Sequence, residues 1–382
     1  MALELREFRA SGYRSLRSIA YPVSGLEVFV GANGVGKTNI YRALELVRSA
    51  AANTLGSDLA QEGMGSAMWA GSHPRNSPIQ MGFSVGLAES GKDRPSYSYD
   101  VTVGFPPRVA APAFAQEPQV KEETLTFLSG RRPVQLMHRK GHSLTVRDEA
   151  GRVVEVDADL LASETALGRL EDPSRYPDLE LVRRTLLQWR FYHDLRTDAA
   201  SPLRRPCPAV ATPMLASDGS NLAAVLATLA YIREDTSELD AAVEAAFPGA
   251  SLVVEDPSGR DVGFRLRFPE FPNREFDAAE LSDGTLRYLA LAGALLSYRL
   301  PPFIALNEPE ASLHPALMEP LARLVVQAAR RSQVLLVTHS ESLARAIAEL
   351  GAAKVRTVQK REGATEIAGL SRWGEFHDED DE

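Results

Sequence analysis

The chain has 382 residues, enough for one large domain or two ordinary ones, and its hydrophobic and charged fractions are typical of a globular protein. A net charge of -9 argues against nonspecific nucleic-acid binding, and no stretch approaches the roughly 20 apolar residues of a membrane span. Cys207 is the only cysteine, which excludes an internal disulfide and a cysteine-based zinc site. The charged N-terminus lacks a signal-peptide core, so a reducing cytoplasm is the simplest location.

The first predicted elements are a strand, a glycine-rich loop and a helix. Residues 26–30, LEVFV, form the apolar run of a short buried strand, and NIYRALELVRSAAA has helical periodicity. The segment between them, GANGVGKT, matches the phosphate-binding pattern G-x-x-x-x-G-K-[ST] in full. The predicted nucleotide-binding residues here are Gly31, Ala32, Asn33, Gly34, Val35, Gly36, Lys37, Thr38 and Asn39.

The residue types of this loop suit a nucleotide and its magnesium ion. Glycines let backbone N–H groups curl round phosphate oxygens, and the following helix presents its positive end to the same anion. Lys37 is predicted to reach the outer phosphates, and the Thr38 hydroxyl is predicted to ligate Mg²⁺.

The middle of the chain changes from short strands to helices. Residues 79–87 and 97–105 flank a polar turn and predict a hairpin, and SLTVRD and RVVEVD predict another. Residues 106–118 are predicted to form a loop. The pattern from residue 159 to residue 247 is mostly helical, and WRFYHDLRTD within it is interpreted as a compact helix. The basic pair Arg204 and Arg205 is interpreted as part of a solvated face.

The last third alternates apolar strands with helices, a pattern typical of a mainly parallel, helix-covered sheet. Ser282-Asp283-Gly284 precedes an apolar helix, which makes either a simple helix cap or a second anion-binding end. The strand FIAL leads to Asn307 and Glu308, and the strand VLLVT leads to His339.

These elements predict an α/β fold: a phosphate-loop nucleotide hydrolase with a mainly parallel sheet, an antiparallel β lobe and a helical insertion. The predicted divisions are residues 1–157 with the phosphate loop and β lobe, 158–248 with the helical insertion, 249–373 with the second half of the nucleotide site, and 374–382 as an acidic tail.

The order of the motifs resembles the heads of ABC-type ATPases. That order is a phosphate loop, an LSxGx signature, a strand ending in Asp-Glu-Pro, a D-loop and a strand ending in histidine. FRASGYRSLRSIAYPV, EPEASLHP and VTHS look similar to the SMC, RecF and OLD-like branch. YRSL, LSDGTLRYL, LNEPEASLHP and WRFYHDLRTDAASPLRRP look similar to its compact stand-alone bacterial ATPases. The absence of sustained heptads and of Cys-x-x-Cys separates the chain from long-armed and zinc-hook members.

The resemblance implies roles for individual residues. Gly36, Lys37 and Thr38 are expected to bind the phosphates of ATP and Mg²⁺. Glu308 takes the position of the catalytic carboxylate, which orients the attacking water, and His339 takes the position of the switch histidine.

The resemblance also implies a homodimer. Ser282, Asp283 and Gly284 take the signature position, which in these families contacts the γ-phosphate of ATP held by the other subunit. Two ATP molecules are therefore expected between heads arranged head to tail. Residues 312–314 take the D-loop position, and Arg14 lies in an N-terminal element that often approaches the nucleotide.

Two departures from the family pattern concern the metal. Asn307 stands where the family has an aspartate, and no glutamine clearly occupies the Q-loop; Gln80, the nearest, lies in a predicted strand. An asparagine keeps an acceptor oxygen but loses a negative charge, which predicts weaker Mg²⁺ binding and slow hydrolysis. Glu310 either compensates for Asn307 or is a surface carboxylate, and the surface interpretation is preferred.

Three functional hypotheses follow. The first is an ATP-hydrolysing, dimerising ATPase in DNA metabolism, repair or anti-phage defence, with DNA or an effector protein as its target; the DNA part rests on analogy. The second is a nucleotide-dependent switch that binds ATP without hydrolysing it and recruits an effector, which Asn307 favours. The third is a nuclease that uses His193, Asp194 and Asp198.

Overall fold

The structure is a computed structural model that describes residues 3–72, 78–107, 113–128, 132–148, 150–351, 353–371 and 373–376. Two compact units divide the chain. Unit 1 comprises Met1–Ser24, Gly31–Trp189 and Arg356–Glu382, and unit 2 comprises Gly25–Val30 and Arg190–Val355. The domain boundaries predicted from the sequence stay a prediction, and most of the predicted acidic tail lies outside the described residues.

The strands are short and occur along the whole chain. In chain order they are β1 Glu4–Tyr13, β2 Leu16–Pro22, β3 Leu26–Val30, β4 Gln80–Ala88, β5 Tyr97–Gly104, β6 Gln119–Phe127, β7 Val134–Lys140, β8 Ser143–Arg147, β9 Val153–Glu155, β10 Arg190–Tyr192, β11 Cys207–Pro208, β12 Ser251–Val254, β13 Asp261–Val262, β14 Phe264–Arg267, β15 Glu275–Asp277, β16 Phe303–Asn307, β17 Gln333–Thr338, β18 Lys354–Arg361 and β19 Ala364–Ile367.

The helices are concentrated after the phosphate loop, in the middle of the chain and in its last third. They are α1 Lys37–Ala51, α2 Leu55–Glu62, α3 Met64–Ala67, α4 Ala166–Arg169, α5 Pro177–Gln188, α6 Leu222–Thr228, α7 Ser237–Ala246, α8 Asp283–Leu296, α9 Met318–Ala329 and α10 Glu341–Leu350. Within the described part of the chain, none of them has the length and apolar character needed to cross a membrane.

Unit 1 is built on an antiparallel sheet of eight strands in the order β2-β1-β4-β5-β6-β7-β8-β9. Both predicted hairpins are present, as β4–β5 and β8–β9. Burial alternates along β5, which is the pattern of a sheet with one covered face, and α1 packs against β1 and β4. This sheet is the antiparallel β lobe that the sequence predicts. It is also the largest sheet, so the prediction of a mainly parallel sheet is wrong for the largest sheet. Short turns join β1 to β2 and β7 to β8, and antiparallel pairing allows such short connections.

Unit 2 contains the parallel pairing that the alternating pattern predicts. Strands β10, β16, β17 and β3 lie side by side and run parallel, and nearly every residue of β16, β17 and β3 is buried. The apolar faces of α8, α9 and α10 belong to the same hydrophobic core. Burial on both faces explains why these strands are continuous apolar runs.

The stretch from residue 159 to residue 247 contains α4 to α7, but it also contains β10 and β11. The prediction of a compact helix at WRFYHDLRTD is therefore wrong. Arg190–Tyr192 pairs in parallel with β16, and Phe191 packs against Phe303 of that strand. Aromatic residues are favourable in strands, and a sheet edge supplies hydrogen-bond partners that local sequence does not reveal.

Unit 1 buries one carboxylate where its sheet meets α4. Glu123 on β6 is fully buried and accepts hydrogen bonds from Ala166 N at 2.6 Å, Leu167 N at 2.9 Å and the Tyr99 hydroxyl at 2.9 Å. Burial raises the pKa of Glu123, and these three donors oppose that rise because they stabilise the charged form. The contact joins β5, β6 and the start of α4.

We predict that Glu123→Ala lowers the free energy of unfolding by about 3 kcal/mol, because three buried donors lose their acceptor. Denaturant titration measures the loss. The matched control is Glu122→Ala on the same strand, whose side chain is exposed and which should change stability by less than about 0.5 kcal/mol. Equal losses in the two variants would contradict this account of Glu123.

Candidate functional site

The phosphate loop begins where β3 ends and leads directly into α1 at Lys37. Gly36 precedes the helix with φ 98°, a left-handed conformation that favours glycine. A Cβ atom at this position would lie 1.9 Å from Thr365 Oγ1 and 2.4 Å from Ser15 Oγ. Both the backbone angle and the crowding therefore require glycine at the last loop position.

Lys37 folds back over the loop. The residue is buried, and Nζ donates hydrogen bonds to the carbonyls of Gly31 at 2.7 Å and Ala32 at 2.8 Å. The first turn of α1, which includes Thr38, contains no acidic residue. A lysine ammonium and the N-terminal N–H groups of a 15-residue helix thus lie together without a competing carboxylate in that turn, which suits a phosphate group.

A chain of side-chain hydrogen bonds ends at a backbone carbonyl of the phosphate loop. Thr365 Oγ1 donates to the carbonyl of Val35 at 2.8 Å, and Ser15 Oγ lies 2.6 Å from Thr365 Oγ1. Asn39 Nδ2 donates to Ser15 Oγ at 2.6 Å. Each group can donate to the next, so the chain runs from Asn39 through Ser15 and Thr365 to Val35. Sequence reasoning missed Ser15 and Thr365; Ser15 lies within the YRSL motif, whereas no sequence signal indicates Thr365.

Arg14 lies beside the first turn of α1. Its backbone is left-handed, with φ 47°, and Nη1 is 3.5 Å from Asn39 Oδ1. The Arg14 guanidinium is paired with Glu62 at 2.9 Å, and the Tyr13 hydroxyl also donates to Glu62. The structure therefore brings Arg14 and Asn39 together but neutralises the arginine with a carboxylate.

The ends of three strands of unit 2 form one edge of its parallel sheet. Asn307, the last residue of β16, pairs with Val337, and Thr338, the last residue of β17, pairs with Val30 of β3. Residues that follow these strands therefore leave the sheet at its carboxyl edge, where ligands bind in open α/β sheets. The phosphate loop begins at the residue after Val30.

Glu308 begins the turn after β16. Its φ is 48°, which is uncommon for a residue with a side chain, and its N–H donates to the Val337 carbonyl at 2.8 Å. The Glu308 carbonyl accepts from Arg287 Nη2 at 3.3 Å. The Glu308 carboxylate is 35% exposed and lies 3.7 Å from His339 Nδ1. The backbone is fixed on both sides, and the carboxylate remains accessible to water.

Glu310 is buried, so the preferred interpretation of this residue as a surface carboxylate is wrong. Its side chain is 5% exposed. Oε1 accepts from Thr338 Oγ1 at 2.5 Å and from His339 N at 3.1 Å, and it lies 3.2 Å from His339 Nδ1. The turn at Glu308 places Glu310 beside the end of β17. There the Thr338 hydroxyl and the His339 N–H stabilise its carboxylate.

The signature segment caps α8. Ser282 Oγ accepts from Thr285 N at 3.2 Å, so the simple cap predicted for this serine is present. Gly284 lies against the predicted D-loop, because a Cβ atom there would be 3.0 Å from the Ser312 carbonyl. Ser312 itself has φ 64°. The signature and D-loop segments are thus in close contact within unit 2.

Arg204 holds the signature segment in place. Its guanidinium, 12% exposed, donates to the carbonyls of Ala279 at 3.0 Å and Leu281 at 2.8 Å and pairs with Asp283 at 2.6 Å. The solvated-face interpretation is therefore wrong for Arg204. Sequence reasoning missed this role because the partners are backbone carbonyls more than 70 residues away.

The residues of the nuclease hypothesis do not form a metal centre. Asp198 pairs with Arg196 at 2.9 Å and accepts from Ala200 N at 2.9 Å. Across the described ranges, no group of three or more His, Cys, Asp or Glu side chains is arranged to hold a metal ion. Gln80 lies in β4, as predicted, and its Q-loop role stays unassigned.

Comparison with known proteins places the chain in a family. A family model described as "AAA domain, putative AbiEii toxin, Type IV TA system" matches residues 27–132 and 157–345, which is more than half of the chain. No curated protein matches the sequence.

Two solved structures show the same fold at low sequence identity. The SMC head bound to the C-winged helix domain of ScpA has a TM-score of 0.51 and 16% identity, covering 96% of this chain and 98% of that chain. The SMC head domain with an extended coiled coil bound to the C-terminal domain of ScpA, derived from Pyrococcus furiosus, has a TM-score of 0.50 and 15% identity, covering 97% and 96%. These likenesses establish a phosphate-loop NTPase α/β fold. The chain therefore belongs to this AAA domain family, and its fold is similar to that of the SMC head domains.

Proposed function

We propose that the protein binds ATP with Mg²⁺ at its phosphate loop and hydrolyses it slowly. The observation that carries the proposal is the loop itself. Lys37 Nζ spans the carbonyls of Gly31 and Ala32, and Gly36 occupies a position that excludes any side chain. A buried lysine at the N-terminus of a long helix has a strong electrostatic preference for an anion, and phosphate satisfies it.

The proposed magnesium ligands carry no charge. Thr38 supplies a hydroxyl, and Asn307 supplies an amide oxygen at the carboxyl end of β16. Both oxygens fit Mg²⁺, which keeps several waters and takes most of its charge balance from the phosphates of the nucleotide. Bound Mg²⁺ would neutralise charge on the phosphates as the bond to the terminal phosphate breaks.

In this proposal Glu308 orients the attacking water and His339 contacts the terminal phosphate. The partly exposed carboxylate of Glu308 and its fixed backbone support the first role. His339 is 44% exposed and follows β17 at the same edge of the sheet. Phosphoryl transfer depends chiefly on such positioning and on electrostatic stabilisation.

The proposed assembly is a head-to-tail homodimer with ATP between the heads. Ser282 and Asp283 are exposed at the start of α8, and Gly284 supports close approach there. Resemblance to ABC-type heads supports this arrangement and a cytoplasmic role in DNA metabolism, repair or anti-phage defence. The target is DNA or an effector protein, and the net charge of -9 gives DNA no support.

The second candidate function is a nucleotide-dependent switch that binds ATP without turnover and recruits an effector. Asn307 favours it, because the metal site lacks the negative charge that an aspartate would bring.

We predict that Glu308→Gln lowers the rate of ATP hydrolysis at least about 100-fold while ATP affinity changes little, because the amide keeps the shape but cannot accept a proton from water. Phosphate release and nucleotide titration measure the two quantities. Glu349→Gln, an exposed position on α10, is the control. A Glu308→Gln rate close to that of the wild type would contradict the assignment of Glu308.

We predict that Asn307→Asp lowers the Mg²⁺ concentration needed for half-maximal hydrolysis about tenfold, because it restores a negative charge beside the metal. Hydrolysis rates over a Mg²⁺ series measure this change. An unaltered Mg²⁺ dependence would contradict the assignment of Asn307 as a magnesium ligand. Absence of turnover in the wild type, with turnover gained in Asn307→Asp, would favour the switch.

We predict that Thr365→Val weakens ATP binding about tenfold, because the loop carbonyl of Val35 loses its donor while side-chain volume is kept. Thr365→Ser retains the hydroxyl and should bind ATP as the wild type does. Calorimetric titration with ATP measures the affinity of each variant. Equal ATP affinities of Thr365→Val and Thr365→Ser would show that the hydroxyl does not support the loop.

A further inference from the structure

We propose that Glu310 is the positioning residue for His339: its buried carboxylate holds the imidazole with a proton on Nδ1 and leaves Nε2 as the ring nitrogen that meets ATP. The proposal deepens the proposed function and rests on it for the catalytic consequence. The pairing of the two side chains is a separate claim that can be tested without turnover.

Hydrogen bonds from two other groups fix the position of the Glu310 carboxylate. Thr338 Oγ1 and His339 N both donate to Glu310 Oε1; Thr338 is the last residue of β17, and His339 follows it. The Thr338 hydroxyl also accepts from Ser340 N at 2.9 Å, so its own orientation is fixed. Glu310 therefore cannot rotate away without leaving buried donors unpaired, and it presents one defined oxygen to the His339 ring.

The geometry selects one tautomer of His339. Nδ1 lies 3.2 Å from Glu310 Oε1 and 3.7 Å from Glu308 Oε1. A carboxylate oxygen only accepts hydrogen bonds, so an unprotonated Nδ1 would place a lone pair against two acids. A proton on Nδ1 converts that repulsion into an electrostatic attraction to the carboxylate. The other ring nitrogen, Nε2, is then free to face a ligand.

A cation lies near both carboxylates. The neighbouring cation is Arg287 on α8, which donates to the Glu308 carbonyl and lies partly buried. Burial lowers the pKa of Arg287, and the negative charges of Glu310, Asp194 and Glu308 oppose that change. Two carboxylates two residues apart thus have different environments: Glu308 is open to water, and Glu310 faces the interior and the histidine.

The catalytic consequence is that His339 depends on Glu310 in the way that a histidine depends on an orienting carboxylate in other enzymes. Without Glu310, the ring can turn and Nδ1 can lose its proton. Binding of ATP depends on the phosphate loop and should persist, whereas the rate of turnover should fall. Glu310 affects ATP through His339 and is therefore a positioning residue.

Proton–nitrogen correlation spectra of the histidine rings test the pairing directly. At mildly alkaline pH, where an ordinary imidazole is neutral, we expect His339 to carry its proton on Nδ1 in the wild type. His339→Gln identifies the signals among the seven histidines. Glu310→Ala should shift His339 towards the Nε2-protonated form that free histidine favours. An Nε2-protonated His339 in the wild type, or an unchanged tautomer in Glu310→Ala, would overturn the proposal.

Steady-state ATP hydrolysis tests the consequence. Glu310→Ala should lower kcat about 10- to 100-fold, the size of losses seen when an orienting partner is removed, with KM for ATP within about twofold. Glu310→Gln keeps an acceptor oxygen and should recover part of that loss. Glu349→Ala, an exposed acid on α10, is the control and should not change the rate. Equal rates in Glu310→Ala and the wild type would overturn the positioning role.

The ring spectra and the hydrolysis rates together distinguish a failure of this proposal from a failure of the proposed function. If the wild-type protein does not hydrolyse ATP, the proposed function fails, whereas the ring spectra still decide the Glu310–His339 pairing. If the wild type hydrolyses ATP and Glu308→Gln does not, the function stands, and Glu310→Ala then decides the positioning role by itself. Thermal melting of Glu310→Gln and Glu310→Ala confirms that each variant is folded before either measurement is interpreted.

Discussion

The parallel, in-register pairing of β16 with β17 and of β17 with β3 is the constraint on which the candidate site depends. Each strand is buried on both faces, so the sheet fixes where each one ends. Asn307 and Thr338 are last residues of their strands, and Val30 is the residue from which the phosphate loop departs. Hydrophobic burial thus determines where the polar residues emerge, and a slip of one residue would remove Glu308 from the edge.

In each of the two units, charged side chains differ in their surroundings. Lys37 is buried with carbonyls as its partners, and the groups behind the loop are neutral hydroxyl and amide groups. Glu308 and Glu310 are two residues apart, yet one is open to water and the other is held by β17. Two identical carboxylates thus have different surroundings: one is open to water, and the other lies against the histidine.

Local sequence patterns predicted those parts of the candidate site that are built by residues close together in the chain. Strand, loop and helix at residues 26–51 are continuous in the chain, and glycine spacing defines the loop. Thr365 could not be found this way because it meets Val35 across 330 residues. The burial of Glu310 depends on the end of β17, and the strand at Arg190–Tyr192 depends on the edge of β16. Long-range partners also decided that the largest sheet is antiparallel.

The central claim is that ATP is hydrolysed at sites shared by two heads. Mixing two inactive variants tests it most directly. Lys37→Ala disables the phosphate loop, and Ser282→Arg disables the signature, so each variant alone should be inactive. In a mixed dimer one of the two shared sites carries both defects and the other carries none. Random pairing then predicts recovery of about a quarter of the wild-type rate on mixing. A mixture as inactive as its components would contradict shared sites.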